Sequence, residues 1–336
     1  MAQEHVTADE PVTAEQPTTA DRPVTTGEPT PAGERTGGGF SPLNLLTGGF
    51  LVLWAVFTAW PLLWTVLTSF KSNSEILSPP DCRISWRIWE WLWCLADPPT
   101  ELHLDNFARA WSTANIGQYF INSVIVVGGS LVLTMLMGSM AAYVLARYEF
   151  PGNRVLYYGF VGGMTFPVFL ALVPLFFVVD NMKLLPLVGE YLTLNSYGGL
   201  IMVYVAYSLP FTVFFMSAFF RTLPTTIAEA ALIDGCGHFG LFFRVMLPMA
   251  RPGLISIALF NFIGQWNQYL LPVVLMTEPD KRVLAQGLAS LAVSQGYRGD
   301  WSALFAGLTL ALLPVLLAYL LFQRQVQAGL SAGLLK

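Results

Sequence analysis

Four amide side chains lie within one apolar run of this sequence, GLISIALFNFIGQWNQYLLPVVLMT (253–277). Asn261, Gln265 and Gln268 are spaced by four and three residues, so a helix would place them on one face, with Asn267 beside them. Burying an unpaired amide in hydrocarbon is costly, so this face must meet other helices or water. Neutral amides exchange hydrogen bonds with hydroxyl groups without the trapping strength of a charge, which suits contact with a hydroxylated molecule.

Two interpretations of the amide face remain open. The amides could bond to a second membrane subunit, as polar side chains of membrane helices often do. Alternatively, they line a translocation cavity in which Trp266 or Tyr269 offers an apolar ring face to a pyranose. In that case the wall of the cavity would be completed by the stretch MTFPVFLALVPLFF (164–177) together with Tyr204 and Tyr207.

A second stretch, EAALIDGCGHFGLFFRVMLP (229–248), is short, charged and glycine-rich between two apolar runs. Good helix formers precede Asp234, and the following Gly235 can take the left-handed conformation that ends helices. A second short helix would then run to Pro248. The first helix presents Glu229 and Asp234 beside small alanines, which let another backbone approach while a carboxylate supplies an ionic contact. This pattern predicts a docking element for another protein.

The composition indicates that both features belong to a polytopic membrane protein. Of 336 residues, 54% are hydrophobic and 11% are charged, whereas soluble domains carry about 25% charged residues. A helix needs about 20 apolar residues to cross a bilayer, and helices satisfy their backbone polar groups internally, as lipid requires. The sequence therefore predicts an all-α protein with six spans, near 44–70, 120–147, 155–179, 197–220, 251–276 and 302–323.

The segments outside the spans predict the orientation and the limits of the membrane domain. Residues 1–40 are rich in proline, threonine and acidic side chains, which indicates a disordered tail. The connection RYEFPGNR (147–154) has two arginines whereas 180–196 has one lysine, which favours both termini in the cytoplasm. The membrane domain then covers 41–323, followed by a cytoplasmic tail at 324–336. The net charge of −4 argues against nucleic acid as a partner.

The first outer loop contains an insertion, DCRISWRIWEWLWCLADPP (81–99), with two interpretations. One is an interfacial helix anchored by its tryptophans. The other is a folded-back loop closed by a disulfide between Cys82 and Cys94, which an oxidising exterior would allow. A straight helix would hold these cysteines about 18 Å apart, whereas a disulfide needs Cα atoms within about 7 Å. The two interpretations therefore exclude each other.

The 229–248 stretch resembles the EAA loop of ABC-importer permeases. The family pattern is Glu-Ala-Ala, three residues, Gly, nine residues, an aliphatic residue, one residue and Leu-Pro. Here the same intervals connect Glu229-Ala230-Ala231, Gly235, Val245 and Leu247-Pro248. The likeness covers most of 43–336 and is closest to the maltose-type carbohydrate permeases. It is also carried by PLLWTVLTSFKSNSEILSPP (61–80), YSLPFTVFFMSAFFRTLPTTIAEAALIDG (207–235), FNFIGQWNQYLLPVVL (260–275) and FQRQVQAGLSAGLLK (322–336).

The resemblance implies a six-span type I permease fold with the EAA loop, about 222–250, as a cytoplasmic coupling helix. It implies a heterodimer with a second permease, two ATPase subunits that bind ATP and Mg, and an extracellular solute-binding protein that delivers the sugar. This chain would be a non-catalytic subunit in the cell membrane, without a cofactor or metal of its own. The coupling residues would be Glu229, Ala230, Ala231, Asp234, Gly235, Leu247 and Pro248, and the substrate path Asn261, Gln265, Trp266, Asn267, Gln268 and Tyr269.

Three alternatives belong to other functional classes or substrates. An ion-gradient-driven transporter would place ionisable residues inside its spans, and the predicted spans hold essentially none. A membrane-embedded enzyme would need catalytic groups within the membrane, and the three histidines lie outside the spans. A permease for another polar solute would share the EAA loop, and only the resemblance of WNQYLLP and GLSAG favours sugar over it.

Overall fold

The computed structural model describes residues 42–78, 97–294 and 299–334, with side chains for 45–78, 97–294 and 299–325. The predicted tail at 1–40 and the Cys82–Cys94 pair lie outside the described residues. The chain divides into two units, one up to Val56 and one from Phe57 onwards. The described parts of both consist of helices and their connections.

The first unit holds the beginning of helix α1, which extends over Pro42–Thr68. Large apolar side chains of this part, such as Leu46 and Leu53, are exposed. The ring of Phe50 stacks on that of Trp54, with centroids 6.4 Å apart. An apolar helix of this kind is suited to a lipid environment, where only its backbone groups need internal partners.

The second unit contains the other described helices. Among all the described helices, four are long and apolar enough to cross a membrane, and α1 is one of these four. Six spans result if each of two bent helix pairs counts as one. In chain order the remaining helices are α2 (Asn73–Leu77), α3 (Asp105–Ser112), α4 (Ile116–Arg147), α5 (Asn153–Thr165), α6 (Val168–Asn181), α7 (Gly189–Leu192), α8 (Tyr197–Thr222), α9 (Thr225–Ile233), α10 (His238–Met249), α11 (Arg251–Trp266), α12 (Leu270–Leu275), α13 (Leu284–Ser294) and α14 (Trp301–Leu334).

Two predicted spans are interrupted rather than continuous. The third breaks between α5 and α6 with a bend of 104°. Phe166 there has ψ 123°, because a residue before proline is disfavoured in the helical region. The fifth ends as α11 at Trp266 and restarts as α12. Pro272 lies in the first turn of α12, where its missing N–H is not needed. The single helical face predicted for the amides therefore ends at Gln265.

The core of the second unit forms where α4 packs along α8. Gly138 makes this approach possible, since a Cβ atom there would lie 2.5 Å from the Thr212 methyl group. One buried cluster includes Tyr204 and Trp266, between α4, α8, α11 and α14. A second, around Phe220, joins the last turns of α4 and α8 to α10. The two clusters fix the positions of both candidate sites.

The helix α3 is tied to the end of α1 and the start of α14. Asn106 is buried, and its amide nitrogen donates to the carbonyls of Ser69 and Lys71, at 2.9 Å each. Arg109 forms an ion pair with Asp300 at 3.0 Å, and its hydrogen bond to Asp300 raises the pKa of the guanidinium. These contacts join the first and last spans next to the predicted insertion.

Candidate functional site

The EAA loop has the helix–turn–helix form predicted for residues 229–248. Helix α9 ends at Ile233, and Gly235 has φ +83°, which confirms the left-handed turn. Helix α10 contains a π-helical segment, Leu241–Met246. The chain then bends by 77° into α11, so the predicted stop near Pro248 falls within one residue of the end of α10.

Both carboxylates of this loop lie on its outside. Glu229, Ala230 and Asp234 are exposed, and Ala231 is partly buried. Neither carboxylate has a hydrogen bond or an ion pair with the described part of the chain. Leu247 and Pro248 follow at the other end of α10, partly buried and exposed respectively. The loop therefore presents two unpartnered negative charges beside small side chains.

The opposite side of the EAA loop is anchored to the membrane helices. Leu241 and Met246 are 2% and 0% exposed. The ring of Phe242 packs 5.2 Å from that of Tyr143, at the end of α4. The Tyr148 hydroxyl and His238 Nδ1 share a hydrogen bond of 2.9 Å. Packed rings therefore connect this loop to α4, and one hydrogen bond connects it to the residue that follows α4. The sequence intervals did not reveal this connection.

Buried hydrogen bonds join the amides of α11 to α4 and α8. The Asn261 amide nitrogen donates to Thr212 Oγ1 at 2.8 Å. The Gln265 amide nitrogen donates to Ser208 Oγ at 3.0 Å, and its oxygen accepts from the Ser130 hydroxyl at 2.8 Å. These bonds form an amide ladder (Asn261–Thr212 and Gln265–Ser208). One of the two interpretations left open placed the partners of the amides on a second membrane subunit, whereas Asn261 and Gln265 bond to side chains of this chain.

A cavity of about 680 Å³ lies beside the amide ladder. Its walls come from α5, α6, α8 and α11, and they include Gln268 from the connection after α11. No charged side chain is among its described lining residues. The lining residues are Gly163, Met164, Phe166, Val168, Ala171, Tyr204, Ala206, Tyr207, Ser208, Pro210, Phe211, Phe260, Asn261, Gly264, Gln265 and Gln268. The structure thus brings together the amides, the 164–177 stretch and both tyrosines that the sequence grouped into one wall.

Three of the predicted path residues do not line this cavity. Trp266 is 5% exposed, and its indole N–H donates to the Ala311 carbonyl at 3.1 Å. Its ring packs against Phe120 with centroids 5.5 Å apart, so Trp266 fills the core instead of offering a ring to a ligand. The Asn267 amide bonds to its own helix, and Tyr269 is 46% exposed outside the cavity lining.

Comparison with known proteins adds a family context to this geometry. Residues 134–331 match the family model described as binding-protein-dependent transport system inner membrane component. This range includes the EAA loop, the amide ladder and every residue that lines the cavity. The match therefore covers both candidate sites.

Individual relatives extend the likeness to most of the chain. The chain is 51% identical to the diacetylchitobiose uptake system permease protein NgcG of Streptomyces coelicolor, over 84% of this chain and 86% of that protein. It is 31% identical to the arabinooligosaccharides transport system permease protein AraQ of Halalkalibacterium halodurans, over 86% and 95%. A solved bacterial ABC transporter that imports the polysaccharide alginate matches with a TM-score of 0.67 at 17% identity, covering 84% of this chain and 96% of that one. At that identity the likeness shows the fold.

Proposed function

Because this chain belongs to the family of binding-protein-dependent transport system inner membrane components, we propose that it conducts a saccharide as one permease subunit of an ATP-driven importer. The chain is a multi-pass membrane protein of the ABC-importer permease fold. Membership of this transporter family supports the proposal over the ion-gradient-driven and enzymatic alternatives. The neutral cavity beside the amide ladder is the observation that carries the proposal for the solute.

The lining of the cavity suits a neutral, hydroxylated solute. Amide and hydroxyl groups offer hydrogen bonds, and Phe166, Phe211 and Phe260 offer apolar ring surfaces. A pyranose has both a rim of hydroxyl groups and apolar ring faces. The volume of about 680 Å³ lies within the range of about 300–1,000 Å³ typical of small-molecule sites. Diacetylchitobiose, the solute for which the Streptomyces coelicolor relative at 51% identity is named, is the first saccharide to test.

The EAA loop is the proposed contact with the ATPase subunits. Glu229 and Asp234 are exposed and have no partner in the described part of this chain, so an ionic partner would come from another subunit. Gly235 shapes the turn, while Ala230 and Ala231 permit close approach. Leu247 and Pro248 set the end of α10 before the chain bends into α11. In this arrangement both termini lie in the cytoplasm.

The other components follow from the same proposal. A second permease forms the remaining wall of the pathway, and two ATPase subunits hold ATP and Mg, so this chain has no catalytic role and binds no cofactor. A solute-binding protein delivers the saccharide from the outside. Ala206 and Tyr207 lie on the cavity wall, and Tyr207 is 53% exposed, which leaves a surface for the second permease.

Reconstitution of the purified complex tests this function. The tagged chain is isolated from its native membrane with the subunits that co-purify, placed in liposomes with the solute-binding protein, and assayed for uptake of labelled diacetylchitobiose. We expect uptake that requires internal ATP and survives ionophores that collapse ion gradients. Uptake that ionophores abolish would overturn the ATP-driven mechanism. Transport of an amino acid or phosphate in place of any saccharide would overturn the substrate class.

A further inference from the structure

The amide ladder consists of two rungs that repeat once per helical turn. Thr212 and Ser208 are four residues apart on α8, and their partners Asn261 and Gln265 are four residues apart on α11. Positions four apart in a helix lie above each other on one face. The two helices run in opposite directions, so the next rung would pair Tyr204, one turn before Ser208, with a residue about one turn after Gln265, either Gln268 or Tyr269. Of these two, Gln268 carries an amide and lines the cavity.

The third rung is not formed in the structure. Helix α11 ends at Trp266, and the chain leaves the helical path before Gln268. The Gln268 oxygen accepts a weak bond from the Leu270 N–H at 3.3 Å, and its amide nitrogen has no partner in the described part of the chain. The Tyr204 hydroxyl has none there either, although the side chain is 2% exposed. Both residues line the cavity.

The unpartnered hydroxyl of Tyr204 requires an explanation. Polar groups of buried residues are almost always hydrogen-bonded. The Tyr204 oxygen is not one of the fully buried side-chain atoms without a partner among the described residues, so it faces the cavity although the rest of the side chain is buried. Phenylalanine would fill the same space in the core cluster around Tyr204 but would present no hydrogen-bonding group to the cavity. The hydroxyl is therefore best explained by a hydrogen-bonding partner that enters the cavity.

We propose that Tyr204 and Gln268 form the saccharide contact of this chain, with a sugar hydroxyl closing the open third rung. In the two complete rungs an amide N–H₂ donates to a hydroxyl group on α8. In the third, the Gln268 N–H₂ donates to a hydroxyl of the solute, which in turn bonds to the Tyr204 hydroxyl. Asn261 and Gln265 are then positioning residues that hold α8 and α11 in register. This inference rests on the proposed transport of a saccharide.

The first test compares Tyr204→Phe with the unaltered importer in proteoliposomes supplied with saturating, diacetylchitobiose-loaded binding protein. One neutral hydrogen bond corresponds to a factor of about 2 to 12, so we expect the saccharide moved per ATP hydrolysed to fall about threefold or more. Thermal stability should not decrease, because the hydroxyl has no protein partner to lose. An unchanged transport ratio, or a clear loss of stability, would overturn the assignment of Tyr204.

Tyr197 provides the matched control on the same helix. Its hydroxyl donates to Asn122 Oδ1 at 2.7 Å, and the residue is outside the cavity lining. Tyr197→Phe should lower thermal stability and leave the saccharide moved per ATP unchanged. Gln268→Met, which keeps the length of the side chain and removes its donors, should reproduce the Tyr204→Phe phenotype. A normal transport ratio in Gln268→Met would remove Gln268 from the contact.

A second measurement detects occupancy without relying on turnover. Tyr204→Cys is made in the assembled importer after replacement of the native Cys82, Cys94 and Cys236 by serine, and its reaction with a small thiol reagent is followed. Diacetylchitobiose should slow the reaction at least about threefold, and a sugar that is not transported should not. Equal rates with and without the saccharide would overturn the contact. If the unaltered importer moves no saccharide at all, the proposed function itself fails instead.

Discussion

The EAA loop and the amide ladder are both clusters of regularly spaced polar residues, but the fold treats them in opposite ways. Glu229 and Asp234 are exposed and have no partner among the described residues. Asn261 and Gln265 are 5% and 4% exposed, and each amide bonds to side chains on neighbouring helices. Buried groups that are hydrogen-bonded to neighbouring helices favour one packing of those helices, whereas unpaired charges at the surface are free to meet another molecule.

This difference predicts two kinds of failure. A substitution in the EAA loop should separate transport from ATP hydrolysis while the subunit stays folded. A substitution in the ladder should first weaken the packing of α8 against α11, because its hydrogen bonds are internal to the chain. Uptake and thermal stability are measured together for variants of these two regions, since only the pair of values distinguishes them.

The largest effect is expected for Glu229→Lys. It puts a cation where the proposed ATPase contact requires an anion, and disrupting a close charge pair costs about 2–5 kcal/mol. ATP-dependent uptake should therefore fall at least about thirtyfold, while the melting temperature of the isolated subunit is unchanged. The neutral Glu229→Gln should give an intermediate loss. Normal uptake in Glu229→Lys would show that this carboxylate is not part of the coupling contact.

Gln265→Leu should produce the reverse pattern. The change leaves Ser208 Oγ without its amide partner and removes the acceptor of Ser130, which we expect to destabilise the subunit by about 1–2 kcal/mol. Asn267→Leu is the matched control, because the Asn267 side chain is exposed and bonds only within its own helix. Its stability should stay within about 0.5 kcal/mol of the original. Full stability with lost uptake in Gln265→Leu would instead assign Gln265 a direct role in the pathway.

A smaller effect on coupling is expected for Gly235→Val. The backbone of Gly235 has φ +83°, where a residue with a Cβ atom is strained by about 1–2 kcal/mol, so the turn should shift. Uptake should fall severalfold with little change in the melting temperature. Gly237 provides the control two residues later, since its φ is −70° and an added Cβ would meet no atom within 4 Å. Equal losses in Gly235→Val and Gly237→Val would show that the turn conformation is not what matters.

The sequence predicted the EAA loop better than the ladder for a physical reason. The loop depends on local features, namely helix formers followed by a glycine with positive φ, and these can be recognised from intervals. The helical class and the approximate positions of the spans also follow from local composition. The coupling role of Glu229 stays a prediction, because the described part of this chain holds no partner for its carboxylate.

The partners of the amides could not be predicted, because they are distant in the sequence. Ser130 lies 135 residues before Gln265, and nothing in either segment indicates the other. The break after Trp266 was also missed. Pro272 does not kink a continuous helix but lies in the first turn of a separate helix, α12, where proline is tolerated. Trp266 was assigned to the path on its chemistry, whereas its position at the end of α11 turns it into the core. A four-residue spacing of Ser208 and Thr212 was the one available signal for the ladder.

The smallest expected effect concerns a third polar cluster, where a charged group is paired within the chain. Glu75 on α2 forms a capping box with Ser72 and also bonds to the hydroxyl and the N–H of Thr100. The hydroxyl of Thr100 contributes most to lowering the pKa of Glu75 from 4.5 to about 2. If internal pairing of a polar group signals a structural role, this carboxylate should affect stability and not coupling.

The sign of the pH dependence that Glu75 gives to stability follows from its lowered pKa. The folded state favours the ionised carboxylate, so its contribution to stability is fully present above pH 4.5 and is lost as the pH falls towards about 2. Thr100→Val removes the hydroxyl and keeps the backbone N–H. It should therefore reduce hydrogen-exchange protection around α2 at pH 6, and the additional loss of protection on acidification should be smaller than in the unaltered chain. The effect should be modest because Glu75 is only partly buried. Thr113→Val changes an exposed threonine and should retain the full pH dependence. If Thr100→Val has the same pH profile as the unaltered chain, internal pairing of a polar group does not indicate a structural role.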